Sequence, residues 1–423
     1  MDKTRKLILV ALVVLVSVGA YLFMAQRMTT RPPIKVGILH SLTGTMSISE
    51  RSVVDATMLA LEEINQSGGV LGRNIQAIVV DTGSNALQFA DEAERLIDAE
   101  KVSVLFGCWT SASRKVVKEV VERFNHLLFY PVQYEGLEQS PNIIYTGAAP
   151  NQQIIPAVKW AFDHLGDRFY LVGSDYVFPR TANAMIRDQV GALDGHIVGE
   201  RYVPLGGRHF ESIVMEILEA QPDVIMNTIN GDSNTSFFLA LRMAGVTPAH
   251  IPTLSFSMAE NELLSLDSRM MAGDYAAWNY FQGIRDARNL DFVEKFQRKF
   301  GPGRVTADSM ESAYFSVYLW AQAVRDAQTD DVAIVNQTIL DQSFAAPGGI
   351  VYVDSSTRHT WKTVRVGKIR EDGQFDILWT SDHPIRPVPF PTYRTQSEWE
   401  EFLQRLYRGW GNQWAATLPN PGE

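Results

Sequence analysis

A single cysteine, Cys108, stands among 423 residues, so no intramolecular disulfide can form and the fold must be held by its core. A basic stripe is missing too. The 38 Lys and Arg face 48 Asp and Glu, a net charge of -10, and nothing gathers cations to neutralise phosphates. Nucleic acid is therefore excluded as a partner. No HExxH zinc helix, nucleophile elbow or Gly-rich phosphate loop occurs, so neither metal nor cofactor is expected. No period repeats along the chain, which excludes a solenoid.

What is present first is an export signal. Lys3, Arg5 and Lys6 precede an uncharged apolar run over residues 7–25, long for a signal-peptide core and just enough to span a bilayer. Val18, Gly19 and Ala20 form a passable cleavage site, so cleavage and retention as an inner-membrane anchor both stay open. With no cysteine directly after the run, a lipid anchor is excluded. The flanking cations keep the N-terminus cytoplasmic and place the rest in the periplasm or on the extracytoplasmic face of the membrane.

With 46% hydrophobic residues, the chain is too long for one ordinary core and implies two. After Pro32 and Pro33, short apolar strands at 34–39, 75–81, 102–107, 127–130 and 143–146 alternate with helices in 50–66, 85–99 and 111–124. A second series begins after Pro150, with strands at 168–172, 197–203, 224–228 and 253–256 between helices. Such β–α order predicts parallel, doubly wound sheets. Helices at 292–300 and 307–328 and a strand-rich tail then imply a return to the first lobe and a second crossing. We expect an α/β protein of two Rossmann-like lobes joined by hinge strands. The first lobe comprises 34–150 plus about 282–345 and the second 151–281 plus about 346–391. Residues 1–31 are a leader or anchor with its linker, and 392–423 a C-terminal extension.

Open α/β sheets bind ligands at the carboxyl ends of their strands. There the sequence gathers Trp109, Thr110 and Ser111 at a helix start, and Tyr130, Gln133 and Tyr134 after the next strand. Cys108 beside a helix N-terminus could in principle be an activated thiolate. His40, His126 and His164 read as isolated surface or strand-edge residues that offer it no base, so no enzyme is expected.

The ordered segments IKVGILHSLTGTM, FGCWTSASRK, LLFYPVQYEGLE, GSDYVFPR, NTINGDSN and AAWNYF resemble type I periplasmic solute-binding proteins of the urea and short-chain amide branch. The resemblance implies capture of urea or a short-chain amide by lobe closure and delivery to an ABC permease with its ATPase subunits. The alternative is a membrane-tethered amide sensor. It also implies that Ser111, Tyr130 and Tyr176 make polar contacts, that Trp109, Phe178 and Trp278 form walls, and that Gln133 and Asn230 assist. Trp278 reads equally as a structural aromatic. Asp232 reads either as a bidentate acceptor of ligand N–H groups or as part of a turn leading to an N-cap at Ser233.

Overall fold

The computed structural model describes residues 12–19, 32–264 and 268–416. Most of the apolar N-terminal run lies outside these residues; 12–19 form a short exposed helix, and no helix among the described residues is long and apolar enough to cross a membrane.

Strands β1 (Ile34–His40), β2 (Ile75–Asp81), β3 (Leu105–Gly107), β4 (Leu128–Tyr130) and β5 (Ile143–Tyr145) make one parallel sheet in the order β2-β1-β3-β4-β5. The apolar residues of β1, β3, β4 and β5 are buried, with helices against the sheet, whereas the edge strand β2 leaves Val79 exposed. Besides the local helices Ser47–Gln66, Ala86–Asp98 and Ser111–Arg123, the distant helix Asp308–Ala327 packs on Ser47–Gln66.

The second sheet has the order β15-β14-β10-β9-β8-β6-β7. Its parallel part is β6 (Arg168–Ser174), β7 (His196–Val203), β8 (Val224–Thr228), β9 (Thr253–Ser255) and β10 (Tyr275–Trp278). An antiparallel edge, β14 (Arg365–Ile369) and β15 (Phe375–Thr380), completes it. Because side chains alternate along a strand, Phe169, Leu171, Val224 and Met226 enter one core while Tyr170, Val172 and Ile225 enter the other. The first of these cores also takes Trp399 and Leu403 from helix Gln396–Gly409, so the C-terminal extension is an ordered layer of the second lobe.

Strands β11 (Ser343–Ala346), β12 (Gly349–Val353) and β13 (Thr360–Trp361) form a small antiparallel sheet of their own, β12 being one of the strands expected in the tail. It stays with the first lobe: Tyr145 N donates to Arg358 O at 2.9 Å. After β13 the chain enters the second sheet as β14, from Arg365. Asn279 donates through Nδ2 to both Gln152 O (2.9 Å) and Thr363 O (3.1 Å).

Candidate ligand-binding cleft

The carboxyl ends of both sheets face each other, and the residues singled out in the sequence sit along them. Gly107 ends β3 where only a glycine fits: a Cβ there would stand 2.2 Å from Leu39 O. The chain then turns through Cys108 at φ +67° into helix Ser111–Arg123, whose start is capped by Thr110 Oγ1 accepting from Ser113 N at 3.1 Å.

Ser111 is buried, donates its hydroxyl proton to Glu135 and accepts from Arg114 Nη1 at 2.9 Å. Arg114 is wholly buried as well. It donates to Glu135 Oε1 (3.0 Å) and Glu138 Oε1 (2.9 Å), while Lys115 Nζ reaches Glu138 Oε2 at 3.0 Å. Two cations are thus matched by two carboxylates, which is what allows four charges to be buried together. Burial pushes the Glu138 carboxyl up, but the adjacent Arg114 and Lys115 charges outweigh it and hold the group well below the usual range. The guanidinium also stands 4.9 Å from the Tyr130 ring centre and 4.3 Å from that of Tyr134.

These four charged residues were not picked out as site residues from the sequence. The signal was within the segments SASRK and YEGLE, which place Arg114 and Lys115 on one helical turn and Glu135 and Glu138 three apart. Their partnership appears only once β4 brings the second segment under the first.

Tyr130 donates to Trp109 O at 2.7 Å, so its oxygen is left to accept only. From the second lobe, Tyr176 is buried as well. Burial pushes its hydroxyl up, Tyr130 and Glu135 add to the rise and Arg114 opposes it. Phe178 lies next to it with ring centres 6.2 Å apart. Gln133 crosses between lobes, its Nε2 donating to Phe256 O at 2.8 Å.

The remaining residues are placed differently. Asn230 keeps its polar groups within the second lobe, N donating to Ser174 Oγ (3.0 Å) and Nδ2 to Thr228 O (3.2 Å). Trp278 Nε1 donates to Met258 O at 2.7 Å, which leaves only its ring to serve as a wall. Asp232 occupies the N-cap position of helix Ser233–Met243 without capping it, and instead accepts from Thr45 of the first lobe and from Arg208 (3.4 Å). At 36% side-chain exposure, Asp232 is a rim contact between lobes.

Two of the three histidines depart from the surface reading, while His164 is exposed. His40 is buried with Nδ1 2.8 Å from Glu50 Oε2, and His126 is buried with Nε2 2.8 Å from Val102 O. Burial pushes the Cys108 thiol well up, so it stays protonated and is no nucleophile.

Several buried polar atoms at these edges have no hydrogen-bond partner among the described residues. On the first lobe these are His40 Nε2, Trp109 Nε1 and Gln133 Oε1; on the second, Ser233 Oγ, Ser257 Oγ, Glu260 Oε2 and Asn261 Oδ1. Each such group costs roughly 1–3 kcal/mol unless something satisfies it. Burial pushes the Glu260 carboxyl up to about 8, above what the Gln282 N–H bond to it can offset, so it is uncharged at neutral pH. Among the described residues, no three His, Cys, Asp or Glu side chains cluster to hold a metal ion.

The chain was compared with known proteins. The periplasmic binding protein domain family matches residues 34–396. A solute-binding protein of an ABC transporter from Rhodopseudomonas palustris, solved with 3,4-dihydroxybenzoic acid, superposes with a TM-score of 0.76 at 20% identity, covering 84% of this chain and 99% of that one. A branched-chain amino acid transporter substrate-binding protein from Streptococcus pneumoniae, solved with isoleucine, gives a TM-score of 0.72 at 17% identity, covering 82% and 98%. Two curated relatives match over short segments. A Leu/Ile/Val-binding protein homolog of Brucella abortus is 34% identical over 21% of this chain and 22% of its own length. A protein named limonene hydroxylase from Geobacillus stearothermophilus is 28% identical over 30% of this chain and 23% of its own length. The chain thus spans under a quarter of either relative, and the solved structures establish the fold rather than a ligand. With the family matched across most of its length and both lobes in place, the chain belongs to the periplasmic binding proteins.

Proposed function

We propose that this protein is the extracytoplasmic substrate-binding component of an ABC transporter and captures urea or a short-chain amide between its lobes. The observation that carries the reading is the set of buried, unpartnered and uncharged polar groups at the facing sheet edges. Trp109 Nε1 can only donate, as a ligand carbonyl requires, while Gln133 Oε1 and Asn261 Oδ1 can only accept, as ligand N–H groups require. Ser111 and Tyr130 have committed their protons to Glu135 and to Trp109 O, so toward a ligand they too act as acceptors.

The buried charges beside these groups are already matched. Arg114 and Lys115 are held by Glu135 and Glu138, Glu50 accepts from Ser41 N at 2.8 Å and lies against His40, and Glu260 is neutral. An α-amino acid or a benzoate would bring charge for which this ionic cluster offers no unpaired counter-charge. Urea brings one carbonyl and four N–H hydrogens and no charge. A ligand touching both lobes favours the closed arrangement by its differential contacts, and the closed form is what a permease would recognise.

For four non-hydrogen atoms the attainable affinity is near -6 kcal/mol, a Kd on the order of tens of micromolar. Calorimetric titration with urea, acetamide, formamide, isoleucine and 4-hydroxybenzoate tests the proposal. Urea or a small amide binds most tightly if it is right; tighter binding of isoleucine or 4-hydroxybenzoate overturns it.

A further inference from the structure

The family match ends at residue 396, yet the ordered chain continues to 416. Helix Gln396–Gly409 lies on helix Val177–Ala192, fastened by Trp399 in the core and by Arg394, which donates to both carboxylate oxygens of Asp188 (2.6 and 2.7 Å). The chain then doubles back. Trp414 O accepts from Val177 N at 3.0 Å, Ala416 N donates to Asp175 O at 2.9 Å, and Ala415 lies opposite Tyr176 in an antiparallel bridge. The two bonds flank Tyr176, the buried second-lobe residue whose hydroxyl feels the charge of Glu135 and Arg114 across the cleft. On its other side, the half-buried Trp414 ring stands 4.6 Å from Lys115 Nζ of the first lobe and 4.6 Å from the Tyr407 ring behind it.

We propose that residues 414–416 are a strap that positions Tyr176 from behind and, through Trp414 on Lys115, clasps the second lobe to the first. Two backbone hydrogen bonds set the loop that carries Tyr176, because a peptide paired on both sides of a residue has little freedom to turn that residue's side chain away. A cation over an indole face at a partly buried site adds attraction that exists only while the lobes are together. The strap lies beyond the family match, so it distinguishes this chain from the shared fold. The ligand-binding half of the inference rests on the proposed amide cleft; the clasp does not.

The test therefore reads both. Spin labels at Asp91→Cys on the first lobe and Glu219→Cys on the second, both exposed, report the interlobe distance in the full chain without ligand, and buried Cys108 does not take the label. Trp414→Ala shifts the distribution to longer distances than wild type, while Gln413→Ala, an exposed neighbour, leaves it unchanged. Ala416→Pro removes one flanking N–H and raises the urea Kd roughly three- to tenfold, with Trp414 retained. Identical distance distributions in wild type and Trp414→Ala overturn the clasp, and an unchanged urea Kd in Ala416→Pro overturns the positioning of Tyr176. Should wild type itself not bind urea while Trp414→Ala still opens, the clasp stands and the amide reading falls.

Discussion

The first lobe presents a self-satisfied ionic cluster beside the unpartnered His40, Trp109 and Gln133 atoms, whereas the second presents unpartnered groups without such a cluster. On the first, Arg114, Lys115, Glu135, Glu138 and Ser111 are fully charged or hydrogen-bonded and satisfy one another without outside help. On the second, Ser233, Ser257, Glu260 and Asn261 are buried with atoms that nothing in the described residues satisfies. The difference teaches a division of labour. A self-satisfied ionic cluster is costly to break and so holds the strand ends and helix start in place. Unsatisfied neutral groups are poised to gain from a ligand, because each bond they form there removes an existing penalty.

The sharpest way to break the comparison is Arg114→Ala. It strands Glu135 without its cation and leaves Glu138 only Lys115, and a loss of about 3–5 kcal/mol of stability is expected in chemical denaturation. A loss as small as that of a surface pair would mean the first lobe is no more committed than the second.

Ser111→Ala comes next. The hydroxyl both donates to Glu135 and accepts from Arg114, so its removal should cost stability and urea affinity together, roughly 1–3 kcal/mol, read by denaturation and calorimetry on one preparation. A change confined to binding would place Ser111 outside the structural cluster.

Proton linkage adds a test centred on Glu260 of the second lobe. Glu260 is held up at about 8 in the fold against an ordinary 4.5, so the folded state keeps a proton that the unfolded chain has released. Its contribution to stability is therefore present at low pH and is lost as pH rises from about 4.5 toward 8. Glu262, pushed up to about 7 by burial, acts in the same direction. Beside the first lobe's Tyr145, His359 is pushed down to about 4 by burial against an ordinary 6.5, so its contribution grows with pH over that span and is complete above it. Between pH 6.5 and 8 the Glu260 effect is left unopposed by His359. Thermal melts should fall across that window in wild type and fall less in Glu260→Gln; equal slopes would show that Glu260 is ionised in the fold.

The smallest effect is expected at Cys108. With its thiol buried and protonated, it should resist a thiol reagent in the native protein and react on denaturation. Rapid native modification would reopen the possibility of an activated cysteine.

Much of the fold was legible because each β–α unit announces itself locally. The strand and helix starts at 34, 75 and 111 and the glycine pair after helix Ser47–Gln66 follow from hydrophobic period, capping and turn chemistry carried by neighbouring residues. Trp109, Thr110, Ser111, Tyr130 and Gln133 were readable as residues of the first lobe's strand edge for the same reason, whereas Tyr176 was named only through the resemblance. The directions of the edge residues' hydrogen bonds were not readable, since these depend on Glu135, Arg114 and Phe256, up to 123 residues away in the chain.

Helix Gln396–Gly409 was missed, although Thr395 and Glu398 form a capping box, because it was read only as an extension beyond the last strand. The sequence by itself determined the alternation of elements, the two cores and the strand ends that carry polar residues, all properties of short-range pattern. Only the tertiary structure decided that His40 is buried, that Arg114 is shared between two glutamates and that the tail returns to Tyr176. Burial and pairing depend on which distant segments exclude water from a group, and no local pattern records that.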